Sequence, residues 1–167
     1  MPPQSLPDMI ALGRRRRPDA RPEQAAKRTL HRSTTALAGV PLFTGFSKRH
    51  LQRLAAETDE VRFRPGEGIV EEGNPGETLF VLLEGQAKVI RGGKVRTHLV
   101  PGDFFGEVSV LDGGPRTASV VAETPVAALR LFRRTVLELV SNEPQLALSL
   151  LGGIARRIRE IDRSLTR

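Results

Sequence analysis

The chain has no cysteine, no tryptophan and no tyrosine among its 167 residues. Without cysteine there is no disulfide framework and no thiolate metal site, and a reducing compartment is permitted. Aromatic residues make up only 4%, all of them phenylalanine, so a core must be built from Leu, Val, Ile and the seven Phe. The 39% hydrophobic content suffices for one domain with a tail. No run approaches the ~18 apolar residues of a membrane span. The stretch from Leu6 to Leu12 is broken by Pro7 and Asp8, unlike a secretory signal. A cytoplasmic protein is expected. The three histidines, His31, His50 and His98, are scattered rather than set at ligand spacings, so no metal is expected. The loop Gly73-Asn74-Pro75-Gly76-Glu77-Thr78 lacks the lysine of a phosphate-binding P-loop, and no nucleophile–base pair stands out. Catalytic activity is therefore not expected.

Charge is unevenly placed. Residues 1–35 carry eight basic and three acidic side chains, which is +5 of the net +7. The pI of 11.1 thus belongs mostly to an appendage. The run Arg14-Arg15-Arg16-Arg17 invites a nucleic-acid reading, since each phosphate contact releases counterions. No aromatic residue interleaves with it to stack a base. A solvated basic tail is the alternative, and nucleic acid is not the expected partner.

Residues 1–40 read as a basic, largely disordered tail, with a weak helical pattern from Glu23 to Leu37. The domain is placed at 41–167. Ser47 is a candidate N-cap for a helix over 47–56, where Leu51, Leu54 and Ala55 share a face. From 60 to 132 short apolar runs alternate with turn residues such as Pro65-Gly66, Glu84-Gly85, Gly92-Gly93 and Pro101-Gly102. About eight short strands with this spacing indicate a compact antiparallel sandwich or barrel. Helical patterning resumes over 133–140 and again over 144–165, with Pro144 in the first turn. Leu150, Leu151, Ile154, Ile158, Ile161 and Leu165 lie on the apolar side of the last helix. Gly152-Gly153 interrupts it at about 1 kcal/mol each relative to Ala, which marks a bend or a close packing contact.

The segment Phe104 to Val120 carries the chemistry. Glu107 precedes Arg116 by nine positions, with a short apolar turn and the loop Asp112-Gly113-Gly114-Pro115 between them. A sheltered arginine suits bidentate binding of phosphate, and a nearby glutamate accepts from sugar hydroxyls. A helical turn opening at Gly106-Glu107 points free N–H groups at an anion. Composition alone leaves a surface ion pair as the alternative.

Phe105-Gly106-Glu107-Val108-Ser109-Val110 followed by Pro115-Arg116-Thr117-Ala118 resembles the phosphate-binding cassette of the cyclic nucleotide-binding domain family. The resemblance runs from about Pro41 to about Leu165. It implies an α+β fold: an antiparallel β-roll (a double-stranded β-helix, jelly-roll-like) flanked by N-terminal and C-terminal helices. By this resemblance the ligand-binding residues are Gly106, Glu107, Val108, Ser109, Arg116, Thr117 and Ala118. Arg116 holds the cyclic phosphate, helped by amides near Ser109 and Thr117, and Glu107 accepts from the ribose 2′-hydroxyl. Thr117, where many members have Ala, leaves cGMP open beside cAMP.

The last helix resembles the one that lids the pocket in this family, and Ile154-Ala155-Arg156-Arg157-Ile158 resembles the catabolite-activator branch, where that helix is also a dimer seam. Its stripe either packs on its own β-roll or forms a homodimer. Where that branch has a Thr-Ser pair touching adenine, this chain has Ile161-Asp162. Ile154, Ile158 and Ile161 are therefore the candidate apolar lid over the base. The resemblance implies a stand-alone, non-catalytic sensor of a cyclic nucleotide, cAMP in the first place, that moves its C-terminal helix and signals through an unidentified protein effector. A ligand-free interaction scaffold, or a nucleic-acid-binding protein led by the arginine tail, are the alternatives.

Overall fold

The computed structural model describes residues 34–166. The arginine run and most of the Glu23–Leu37 pattern lie outside them. Residues 34–38 are helical. A 3-10 turn, Pro41–Phe43, follows, and then helix α1, Lys48–Ala56, whose N-cap Ser47 accepts from the His50 amide. Eight strands come next: β1 Asp59–Phe63, β2 Gly68–Val70, β3 Thr78–Glu84, β4 Ala87–Arg91, β5 Lys94–Leu99, β6 Phe104–Phe105, β7 Ser119–Ala122 and β8 Val126–Phe132. Helix α2, Glu107–Asp112, sits between β6 and β7, and α3, Arg133–Asn142, and α4, Pro144–Leu165, close the chain. The strands form two antiparallel four-stranded sheets, ordered β1-β8-β3-β6 and β2-β7-β4-β5. This is the β-roll the sequence implied.

The long apolar runs of β3 and β8 have a structural cause. Side chains alternate between the faces of a strand, and the β1-β8-β3-β6 sheet is covered on both. Leu79, Val81, Leu129, Leu131 and Phe104 face one cluster, which also holds Leu37, Phe43, Leu54, Val136, Leu146 and Leu150 from the helical segments. Phe80, Leu82, Ala128, Val126 and Phe105 face the other, closed by Ala87, Leu99, Val120 and Ala122 of the second sheet. Phe80 and Phe105 stack there with ring centroids 5.1 Å apart. Residues before 41 take part in this packing: Leu37 and Val40 are buried. The packed residues thus extend before the sequence boundary at 41, into the end of the weak helical pattern read over Glu23–Leu37.

The last helix runs without interruption through Gly152-Gly153. Burial along it is uneven. Leu146 and Leu150 are buried, whereas Leu148, Leu151, Ile158 and Leu165 are exposed.

Candidate functional site

The cassette is built by a short helix held at both ends. Gly106 is its N-cap in the left-handed region, φ 86°, a conformation that glycine adopts without Cβ strain. A Cβ there would also lie 2.6 Å from the Arg116 guanidinium and 2.7 Å from the Thr78 carbonyl oxygen. At the far end, the Arg133 Nε of α3 donates to the Val110 carbonyl at 2.9 Å. The cassette is thereby fastened to the helical pair that leads into α4.

Arg116 reaches this helix from across the roll. Its backbone is clamped by the 73–76 turn: the Gly73 amide donates to the Arg116 carbonyl at 2.9 Å, and the Arg116 amide donates to the Asn74 carbonyl at 2.8 Å. A bridge between Pro75 and Pro115 fixes the same approach. Gly76 has no room for a side chain, since a Cβ would sit 2.5 Å from Ser109 Cβ and 2.8 Å from Arg116 Nε. Arg116 is 7% exposed. Its Nη1 donates to the Thr78 carbonyl at 2.8 Å and the Gly106 carbonyl at 3.3 Å, and its Nη2 to Thr78 Oγ1 at 2.9 Å. Among the described residues no carboxylate pairs directly with it. Burial pulls its pKa below the usual arginine value, and the charges of Glu107 and Glu77 oppose that shift. A guanidinium keeps its proton regardless, so Arg116 is a buried cation compensated mainly by neutral oxygens.

Glu107 opens α2 and is 3% exposed. Its carboxylate is held by Arg157 of α4, whose other Nη donates to the Phe104 carbonyl. The Arg157 guanidinium also lies over the Phe104 ring, 4.9 Å from the centroid. From the sequence Arg157 was named only within the run Ile154-Ala155-Arg156-Arg157-Ile158, with no role at the site; the structure puts it on the face that meets the roll. A signal was present: Arg157 stands three residues after Ile154 and four before Ile161, the spacing of one helical face. Thr78 was likewise not singled out, and nothing local to the cassette marks it.

All ten residues named from the sequence line one cavity of about 610 Å³: Gly106, Glu107, Val108, Ser109, Arg116, Thr117 and Ala118 on the cassette side, and Ile154, Ile158 and Ile161 on α4. Ser109 is buried, Thr117 exposed, and the Thr117 carbonyl accepts from Arg91 Nε at 3.0 Å. Ile158 and Ile161 remain about half exposed, so α4 covers the cavity only in part. Val70, Val89, Val95 and Leu99 supply further apolar wall. Among the described residues no group of acidic or histidine side chains could hold a metal ion, and no helix is long and apolar enough to cross a membrane.

The family profile for the cyclic nucleotide-binding domain matches residues 60–143, and the chain belongs to that family. It is 31% identical over 134 residues to a CRP-like cAMP-activated global transcriptional regulator of Mycobacterium tuberculosis, covering 77% of this chain and 60% of the regulator. It is 38% identical over 100 residues to a cAMP-dependent protein kinase regulatory subunit of Aspergillus fumigatus, covering 58% of this chain and 24% of the subunit. Among solved structures, the catabolite activator protein of Thermus thermophilus superposes with a TM-score of 0.67 at 34% identity, covering 75% of this chain and 62% of that one. The chain thus spans less than two thirds of each of these relatives, all of which are regulators by name.

Proposed function

We propose that this chain is a non-catalytic sensor that binds cAMP in the 610 Å³ cavity and reports it through α4 to a protein effector in the cytoplasm. The observation that carries the reading is Arg116: a buried, permanently charged fork that pairs directly with no carboxylate among the described residues, in one cavity with a buried glutamate. An unpaired buried cation is costly, and an anionic ligand offsets that cost. In this reading Arg116 and the first-turn amides of α2 receive the cyclic phosphate. Glu107 accepts from the 2′-hydroxyl, and the purine lies between the valines of the second sheet and Ile154, Ile158 and Ile161. The names of the relatives support cAMP as the ligand.

Arg157 supplies the coupling. It joins the ribose acceptor to α4, so a hydroxyl arriving at Glu107 changes the carboxylate that anchors the helix. Ligand shifts the helix only as far as its affinities for the two helix positions differ. The exposed side of α4 offers an output. Leu148, Leu151, Ala155 and Ile158 follow a three–four spacing suited to a seam between two copies, and a homodimer is part of the proposal. Calorimetric titration of the chain with cAMP tests the site. Arg116→Ala is expected to weaken binding by roughly 2–5 kcal/mol, at least tens-fold in Kd, with the fold retained by circular dichroism. Unchanged affinity in a folded variant rules the assignment out.

A further inference from the structure

Basic charge does not stop where the tail ends. Residues 1–53 carry eleven basic and three acidic side chains, +8, whereas residues 54–167 carry fifteen basic and sixteen acidic, −1. Within the described residues this excess lies on one side of α1. Leu51, Leu54 and Ala55 turn inward and are buried, whereas Lys48, Arg49, Gln52, Arg53 and Ala56 are all exposed. At 3.6 residues per turn these five share a sector of about 140°. That sector holds three cations and no acid. None of the three side chains makes a hydrogen bond or ion pair with any described residue. Lys48 and Arg49 also stand in the first turn, which has no acidic residue, at the end of a helix where its dipole disfavours cations. The arrangement costs the fold stability, and an external anion offsets that cost.

The apolar residues of the tail decide what kind of anion. Leu6, Met9, Ile10 and Leu12 come just before Arg14-Arg15-Arg16-Arg17. Apolar side chains beside a basic run are the two signals of attachment to a bilayer surface: the first enter the acyl boundary, and the second meet anionic headgroups. A nucleic-acid backbone would engage the arginines and leave the aliphatic side chains in water. Arg17 stands seventeen positions before Thr34, up to about 58 Å of extended chain, so the run and α1 can meet one plane. The nine residues of α1 extend about 13 Å along that plane, and headgroup charge is felt within about 8 Å at physiological salt. We propose that the α1 face and the N-terminal run form a docking surface for an anionic phospholipid bilayer, which holds the chain at a membrane without spanning it. None of the α1 cations lines the 610 Å³ cavity, so this docking goes beyond the sensor reading and does not depend on it.

The test is flotation of the full chain with vesicles of equal parts phosphatidylglycerol and phosphatidylcholine, and with vesicles of phosphatidylcholine alone, read as a partition coefficient. The unsubstituted chain floats with the first and not with the second. Lys48→Gln, Arg49→Gln and Arg53→Gln together keep good helix formers on the face and weaken partition about a hundredfold, at roughly fivefold per cation. Arg53→Gln alone leaves the first turn unchanged and weakens it about fivefold, so the test stands even where the triple variant fails to fold. Ile10→Ser with Leu12→Ser also weakens partition, because the apolar signal is gone. Equal binding to both vesicles, or to neither, overturns the proposal, as does an Arg53→Gln chain that floats like the unsubstituted one. Tighter binding to duplex DNA than to the anionic vesicles, untouched by the serine substitutions, overturns it in favour of a nucleic-acid partner.

Discussion

At Arg116 charge and burial pull in opposite directions, and three hydrogen bonds decide the orientation. Nη1 and Nη2 are both drawn to Thr78, which fixes the plane of the fork before any phosphate contact forms. Pre-orientation lowers the cost of binding, so Thr78 acts through Arg116. Thr78→Val removes the Oγ1 acceptor and keeps the carbonyl. It is expected to cost roughly 0.5–1.5 kcal/mol of cAMP affinity, a few-fold in Kd by titration; no change would mean that the backbone carbonyls alone orient the guanidinium. Glu107 has a different signature. If it accepts from the ribose, Glu107→Ala weakens cAMP binding and also erases the preference for cAMP over its 2′-deoxy analogue. Equal discrimination by the variant and the unsubstituted chain would remove Glu107 from that role.

At the scale of elements, α4 is seated by Gly153. A Cβ there would lie 2.4 Å from Phe104 Cζ, and the ring is buried with little room to yield. At Gly153 the pair thus marks a close packing contact; Gly152 meets only Arg156, at 3.6 Å. Gly153→Ala gains about 1 kcal/mol of helix propensity against roughly 1–3 kcal/mol of overpacking. The expected balance is a looser α4 and a lower Tm by thermal denaturation, with faster cAMP dissociation in stopped flow. A raised Tm with unchanged dissociation would show that the ring moves aside at little cost.

This contact also shows where sequence reading stopped. The eight strands were legible because two sheets sharing a core impose apolar runs between turn residues, and the cassette was legible because its parts are local. The Arg157–Glu107 pair joins residues 50 positions apart and depends on how closely α4 approaches Phe104, which a glycine permits but does not announce. The packing of Leu37 and Val40 escaped for a similar reason: the surface they cover is made by β3, β8 and the C-terminal helices, far along the chain.

For the whole molecule the question is how a change at the cavity leaves it. The cassette helix is tied to α3 by Arg133 and to α4 by Arg157, so both ends of the route converge on the last helix. The outward side of that helix has Leu148 68% and Leu151 60% exposed, away from the cavity lining. Asp162 continues the same three–four spacing. In a parallel pair it would bring two carboxylates together, so the seam is expected to close along Leu148 to Ile158 and splay beyond. Burying aliphatic side chains contributes roughly 1.5–3 kcal/mol each, and both copies contribute to a symmetric seam. Sedimentation equilibrium of the chain should therefore show a concentration-dependent dimer. Leu148→Glu combined with Leu151→Glu should move it to monomer, by at least about a hundredfold in dimer Kd on the same burial scale, while cAMP titration still reports an intact pocket. A dimer that survives both substitutions would place the contact elsewhere, and a monomer at every concentration would leave α4 to signal by presenting this face to a different protein.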